Sequence, residues 1–181
     1  MDSDSEETWR RALLRFREEK DSYFKQDSGA PIPHSDRDVF SGLHYFDPDP
    51  SFRVEARLVR HQVPGSVIMA TSKGTRQLYN RVGQFDLVIA GQEVKLQAYQ
   101  SAEREDPSLF IPFRDGTSGK ESYGAARYLD MHVEHDDAYA IDFNYAYNPY
   151  CAYSDDYVCP LPPTENWLSV SVRAGEKKYH D

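Results

Sequence analysis

The pattern of apolar and polar residues divides the chain into a helical start and a long β-rich remainder. Over residues 6–25 the apolar side chains recur at near-helical spacing, with charged side chains between them. Ser5 is suited to cap such a helix, and Gly29 is suited to end it. We therefore predict an amphipathic helix over residues 6–25, packed through its apolar stripe, followed by an extended linker over residues 26–50.

From residue 51 onward, apolar residues alternate with polar ones at the period of two that is typical of half-buried strands. Residues 85–89 and 94–98 flank the turn sequence Ala90-Gly91-Gln92 and predict a hairpin. Further strands are predicted at residues 52–59, 66–71, 76–79, 109–113, 123–133, 139–147 and 168–173.

No helical pattern separates these strands, so parallel pairing is not expected. The fold class that follows is mainly β: an antiparallel β-sandwich or a partly closed barrel over residues 51–181, with a short N-terminal helix. A chain of 181 residues without an internal repeat or a break in composition is expected to form a single domain over residues 1–181.

Charge changes the picture by excluding one class of partner. Thirty acidic residues against 21 basic ones give a formal net charge of -9, and no basic stripe is visible. Such a surface repels phosphate backbones, so nucleic-acid binding is not expected. The spread of acidic residues along the whole chain also suggests adaptation to a salty cytosol, where screening relieves self-repulsion.

The N-terminal residues show no basic region followed by an apolar run, and no segment approaches membrane-spanning length. We therefore expect a soluble cytoplasmic protein without a membrane partner. In a reducing cytosol, Cys151 and Cys159 are expected to be free thiols. Their spacing fits neither a zinc knuckle nor a redox Cys-x-x-Cys motif, and a disulfide, shared metal ligation and a nucleophile stay open as alternatives.

Two blocks of sequence, residues 113–129 and 142–163, carry a resemblance to a known family, together with the short segments 40–43 and 173–176. The second block begins Asp-Phe-Asn-Tyr-Ala-Tyr-Asn-Pro-Tyr-Cys-Ala-Tyr and ends Cys-Pro-Leu-Pro-Pro. The chain closely resembles, from the helix onward, the family catalogued as domain of unknown function 1684. The resemblance implies a stand-alone prokaryotic domain and implies no reaction.

Residues 139–148 read as a strand with two unlike faces. Bulky aromatic side chains project to one side, whereas Asp142, Asn144 and Asn148 project to the other. Short side chains with fixed hydrogen-bonding ends leave room for a ligand, and an ordinary solvent-facing strand is the alternative.

Arg127 shares strand parity with apolar Leu129 and Met131, so its guanidinium should point inward with them. A buried guanidinium needs a carboxylate partner, and the candidates are Asp115, Glu121 and Asp142. A purely structural clamp between Arg127 and a carboxylate is the alternative to a binding role.

Two other segments are weaker candidates. The Gly119-Lys120 pair departs from a phosphate-binding P-loop, because Arg114 and Glu121 stand where that motif needs Gly and Ser or Thr. The acidic turn that holds His132 and His135 is expected to be solvated rather than to bind a metal.

The leading hypothesis is a domain that binds a small polar or anionic molecule in one pocket of the β body. Arg127 would hold an anionic group there and the asparagines would orient the ligand. The proposed lining is Asp115, Tyr123, Arg127, Asp142, Asn144, Asn148 and Cys151.

Two alternatives belong to other classes of protein. One is an enzyme that uses Asp142 as a general base or metal ligand and Cys151 as a reactive thiol. The other is a partner-binding protein whose interface is the tyrosine-rich stretch 139–157. The sequence identifies no cofactor, no dedicated metal site and no oligomeric state.

Overall fold

The computed structural model of the protein describes residues 3–103 and 108–180. Helix α1 spans Ser3–Gln26, slightly longer than predicted, with acidic side chains in its first turn and Lys25 in its last. Those charges complement the helix dipole at both ends. The face turned to the rest of the protein buries Trp9, Leu13, Arg17 and Phe24.

Within the described residues, six antiparallel strands form one sheet in the order β5-β4-β3-β2-β1-β6. The strands are β1 (Arg53–Ala70), β2 (Arg76–Ile89), β3 (Gln92–Ser101), β4 (Leu109–Phe113), β5 (Arg127–Met131) and β6 (Ala138–Asp142). The predicted fold class, mainly β and antiparallel with an N-terminal helix, is confirmed, and its form is a curled half-barrel.

The curl follows from one short connection. Strands β5 and β6 lie at opposite edges of the sheet, yet only residues 132–137 join them. The seven Cα steps from Met131 to Ala138 reach at most about 24 Å, which only equals the width of a flat six-stranded sheet. A turn at residues 135–136 shortens the connection further. The two edges must therefore bend toward each other.

The predicted hairpin is present between β2 and β3, where Ala90 and Gly91 have φ of 50° and 76°. Positive φ at both turn positions matches the right-handed twist of the flanking strands. Two predicted strands, 52–59 and 66–71, merge into the single strand β1, whose register against β2 shifts between Arg60 and Gly65.

The predicted strand over residues 139–147 is wrong beyond Asp142. There the chain enters a 3₁₀ turn over Phe143–Tyr145, because the Asp142 carboxylate accepts a hydrogen bond from Asn144 N–H at 2.9 Å. The two-faced strand therefore does not exist past this point. Likewise, β5 begins at Arg127 rather than at residue 123.

The segment 168–173 is extended but is not a strand of the sheet. It fills the inside of the half-barrel, where its alternate side chains meet the apolar face of the sheet. The side chains buried there are those of Leu168, Val170, Val172 and Ala174.

The predicted extended linker over residues 26–50 contains 3₁₀ turns at His34–Asp36 and near its end at Pro50–Phe52, and it is packed rather than free. A second apolar cluster, outside the half-barrel, joins this linker to helix α1 and to the C-terminal loops. Its buried members are Phe24, Ile32, Phe40, Leu43, Ala152 and Tyr153. Within the two described ranges, no helix has the length and apolar character needed to cross a membrane.

Candidate functional site

Arg127 lies on the inward face of β5, as its strand parity indicates, and its side chain is only 1% exposed. Of the three candidate partners, the carboxylate it meets is Asp115, with Nη2 3.3 Å from Oδ2. Burial lowers the pKa of the guanidinium and the charge of Asp115 opposes that shift.

The same two side chains hold the C-terminal segment in place. Arg127 donates hydrogen bonds to the carbonyls of Val172, Ala174 and Glu176, at 2.7 Å for Val172. Asp115 accepts from the N–H of Val172 at 2.5 Å. Side chains thus supply the hydrogen bonds that a neighbouring strand would give to this segment.

Asp142 and Asn144 lie elsewhere, at the end of β6. Asn144 pairs with both backbone groups of Asp49, donating to its carbonyl at 2.8 Å and accepting from its N–H at 2.9 Å. Asp142 accepts from the indole N–H of Trp9 at 2.6 Å. These residues connect β6, the linker and helix α1.

Asn148 belongs to a third group, centred on the buried Glu176. The Glu176 carboxylate accepts from the N–H of Asn148 at 2.8 Å and from the hydroxyl of Tyr153 at 2.5 Å. Lys20 of helix α1 completes the group, with Nζ 2.5 Å from Glu176 Oε1.

Tyr123 and Cys151 form a fourth group with Cys159. The Tyr123 hydroxyl lies 3.8 Å from Cys151 Sγ, and the N–H of Cys151 donates to Cys159 Sγ at 3.3 Å. The two cysteines are free, Cys151 half-buried and Cys159 buried.

The seven predicted site residues therefore occupy four places instead of one shared pocket. A ligand-binding role for each remains a prediction, but most of the polar atoms of Arg127, Asp115 and Asn144 already contact the protein itself. Among the residues that the structure describes, no group of three or more His, Cys, Asp or Glu side chains is arranged to hold a metal ion.

A cleft of about 610 Å³ opens between helix α1, strand β5 and the C-terminal loops. We call it the tyrosine cleft, because five tyrosines line it beside apolar side chains. The lining comprises Phe16, Lys20, Tyr23, Phe24, Tyr128, Tyr147, Pro149, Tyr150, Tyr157, Val158 and Cys159.

A smaller cleft of about 200 Å³ adjoins the first and shares Tyr128, Tyr147 and Val158 with it. Its remaining lining is more polar, with side chains such as Gln77 and Ser101. The two clefts together give an apolar, aromatic end and a hydrogen-bonding end.

The tyrosines between the clefts are held firmly. The backbones of Tyr128 and Tyr147 pair in both directions, at 2.8 and 3.1 Å, and their rings meet edge to face at 5.7 Å. Tyr128 also donates its hydroxyl to the carbonyl of Pro160 at 2.5 Å, and Tyr147 donates to Asp130. Burial raises the pKa of both phenols, so each stays neutral near pH 7.

One cation touches the wall of the tyrosine cleft. Lys20 Nζ lies 4.9 Å from the ring centre of Tyr147 and 5.6 Å from that of Phe24. Because Lys20 also forms an ion pair with Glu176, the carboxylate offsets its positive charge. The cleft wall is therefore aromatic and not strongly basic.

Tyr128, Tyr147 and Lys20 were not among the predicted site residues. The signal for Tyr147 was present, since it falls in the tyrosine-rich stretch 139–157, which indicated an interface. Lys20 carried no such signal, because it reads as one charge among many on the polar side of helix α1.

These features define a small half-barrel β domain with a docked helix, an open aromatic cleft and a neighbouring thiol pair. The chain belongs to the family described as protein of unknown function (DUF1684), whose model matches residues 38–177, which confirms the resemblance. It is similar to the solution NMR structure of an uncharacterized protein from Haloarcula marismortui, at 43% sequence identity and a TM-score of 0.74. That likeness covers 98% of this chain and 97% of the other. No curated protein matches the chain.

Proposed function

We propose that this protein binds a small organic molecule that has a flat, partly apolar body and a polar end, and that the tyrosine cleft is its binding site. The observation that carries the proposal is the convergence of Tyr128, Tyr147, Tyr150 and Tyr157 on one cleft of about 610 Å³. A volume of this size lies in the range of small-molecule sites.

Ring contacts support a flat ligand. Tyr150 and Tyr157 already meet edge to face at 5.1 Å, and Tyr128 and Tyr147 do so at 5.7 Å. A planar molecule between these pairs gains the same offset or edge contacts. The adjoining polar cleft then receives the hydrogen-bonding end of the ligand.

This placement differs from the pocket expected around Arg127. The Arg127 guanidinium is 1% exposed and is occupied by three backbone carbonyls and Asp115, so an incoming anion would have to displace contacts that hold the C-terminal segment. Of the residues expected to bind the ligand, Cys151 contacts the cleft's lining residue Cys159.

Amide chemical shifts measured during titration with indole and with 4-hydroxybenzoate test the proposal, with glucose as a non-aromatic comparison. We expect both aromatic probes to shift the amides around residues 147–151 and 157–160, and glucose to leave them unchanged. Aromatic probes that shift a different region, or that shift none, would contradict the proposal.

Two variants sharpen the test. Val158 is 45% exposed at the cleft, so Val158→Trp should fill it without disturbing the core and should weaken probe binding by about tenfold or more. The matched control is Val88→Trp, at a position that is 58% exposed on β2 away from the cleft, and it should bind like the parent. If the cleft instead joins two copies of the chain, light scattering would show a dimer that Val158→Trp dissociates, and the small-molecule assignment would be wrong.

A further inference from the structure

The two cysteines of the chain lie side by side although seven residues separate them. The N–H of Cys151 donates to Cys159 Sγ at 3.3 Å. This contact puts the Cys159 sulfur against the backbone of Cys151, so rotation of the two side chains can bring the sulfurs together.

Each cysteine is held by a different part of the fold. Cys159 is fixed to the β1–β2 loop, since it donates its N–H to Ser72 Oγ at 3.1 Å and accepts from the N–H of Ser72 at 2.9 Å. Cys151 sits in the 3₁₀ turn Tyr150–Ala152. The contact between them is therefore set by tertiary structure, not by their spacing along the chain.

The two thiols differ in solvent exposure and in pKa. Cys151 is half-buried and Cys159 is buried. The hydrogen bond from the Cys159 thiol, aided by Ser72 and Tyr123 and opposed by burial, lowers the pKa of Cys151 to about 6. The pKa of Cys159 is raised, first because its proton is donated to Cys151 and then by burial. Within the described ranges, the phenols of Tyr123 and Tyr128 face the pair, and the carboxylate of Asp155 acts on Tyr123.

We propose that Cys151 and Cys159 form a redox-active dithiol site whose oxidant is a hydroperoxide, with Cys151 as the attacking thiol and Cys159 as the resolving thiol. The inference goes beyond the binding function proposed above and does not depend on it.

The Cys151 thiolate attacks the terminal oxygen of the hydroperoxide, the O–O bond breaks, and Cys151 becomes a sulfenic acid. The departing alkoxide takes the proton of the Tyr123 hydroxyl, which lies 3.8 Å from Cys151 Sγ and regains a proton from solvent. Burial raises the pKa of Tyr123, which keeps that proton in place until it is needed.

Cys159 then attacks the sulfur of Cys151. An S–S bond forms, the S–O bond breaks, and hydroxide leaves with the Cys159 proton as water. In sum, two thiols and one hydroperoxide give one disulfide, one alcohol and one water, and two electrons pass from the sulfurs to the peroxide.

The product has a structural consequence for the tyrosine cleft. A disulfide would close the loop that carries Tyr157 and Val158, which line the cleft together with Cys159. Closing a loop this short should raise the Tm by about 5 °C in a chain of this size.

The experiment uses the full chain, reduced, freed of reductant and treated with one equivalent of hydrogen peroxide. We expect the intact mass to fall by two hydrogens, both thiols to be lost in a titration of the unfolded protein, and the Tm to rise. A monomer that keeps both thiols, or a disulfide that joins two chains on a non-reducing gel, would overturn the proposal.

Variants separate the two roles. Cys159→Ser should stop at the sulfenic acid of Cys151, trapped by dimedone, whereas Cys151→Ser should react at least about tenfold more slowly with peroxide. Tyr123→Phe should keep both thiols and slow the peroxide step by about tenfold or more. Equal reactivity of the two single-cysteine variants would contradict the assigned order.

The pH dependence of alkylation gives a readout that a structural pair would not show. Iodoacetamide should modify Cys151 with a rate that reaches its plateau above a midpoint near pH 6, while the rate for glutathione in the same buffers keeps rising beyond pH 8. A midpoint above pH 8 for Cys151 would overturn the assignment.

Discussion

Lys20 Nζ lies 2.5 Å from Glu176 Oε1, so an ion pair joins the N-terminal helix to the end of the C-terminal segment. The two side chains are 15% and 2% exposed. The Glu176 carboxylate also accepts hydrogen bonds from Asn148 and Tyr153. These contacts and the Lys20 cation offset the cost of burying its negative charge.

Lys20→Met should therefore destabilise the protein more than an ordinary surface change. Without the cation, the Glu176 carboxylate stays buried with too little positive charge, and the expected loss is about 3 kcal/mol of unfolding free energy. Urea unfolding followed by circular dichroism measures the loss. Lys25→Met is the control, because Lys25 is exposed on the same helix, and its effect should stay within about 0.5 kcal/mol. Equal effects of the two variants would show that the ion pair contributes nothing.

The Arg127–Asp115 pair predicts strong coupling between two substitutions. Asp115→Asn should cost about 3–5 kcal/mol, because it leaves a guanidinium that is 1% exposed without its counter-charge. Arg127→Met should cost a similar amount, since three carbonyls and one carboxylate lose their donor.

The double variant should be less destabilised than the sum of the two single ones. A double-mutant cycle from denaturant unfolding measures this coupling, and we expect at least about 1 kcal/mol. Costs that simply add would mean that the two side chains act independently.

The alternation of apolar and polar residues was sufficient to predict the β2–β3 hairpin. Residues 85–89 and 94–98 alternate in the way the half-barrel requires, and the Ala90-Gly91 turn accepts positive φ. The same rule failed at residues 143–147. There the alternation of aromatic and short polar residues continues, but the Asp142 carboxylate caps a 3₁₀ turn that no period reveals.

The candidate sites depend on contacts between segments distant in sequence. Strand parity showed that Arg127 points inward, and Asp115 was among its candidate partners. Nothing in the sequence pairs the backbones of Tyr128 and Tyr147, because that pairing follows from the curl of the sheet. Asn166 is a similar case. It is fully buried and hydrogen-bonds Gln97 on β3 and Pro112 on β4, yet it lies in the short 3₁₀ turn Thr164–Asn166, which gives no periodic signal.

Alkaline pH should destabilise the protein through its buried phenols. Burial is the first cause that raises the pKa of Tyr99, Tyr128 and Tyr153. In the unfolded chain these phenols ionise near pH 10. Their contribution is therefore fully present below pH 10 and is lost as the pH rises from there toward the higher pKa of the folded state.

Each such phenol should lower the unfolding free energy by about 1.4 kcal/mol per pH unit above pH 10. Urea unfolding at several values between pH 8 and pH 11.5 measures the slope, and absorbance at 295 nm reports ionisation. Tyr99→Phe should reduce the slope by the contribution of one phenol, about 1.4 kcal/mol per pH unit. Stability that stays level up to pH 11.5 would contradict the burial of these groups.

The excess of acidic residues predicts that the Tm depends on salt concentration. This effect arises from surface charges and not from the buried ion pairs. With 30 acidic against 21 basic residues, repulsion among surface charges opposes the compact state. At 0.1 M salt the screening length is about 10 Å, and at 1 M it is about 3 Å, so KCl should remove most of this repulsion. We expect the Tm to rise steeply between low and molar KCl.

A matched variant with Glu18→Gln, Glu19→Gln, Asp155→Asn and Asp156→Asn, all at exposed positions, changes the net charge from -9 to -5. Its Tm should be higher at low salt and should rise less with KCl. A parent protein whose Tm is flat across this range would rule out adaptation to high salt as the reason for its charge.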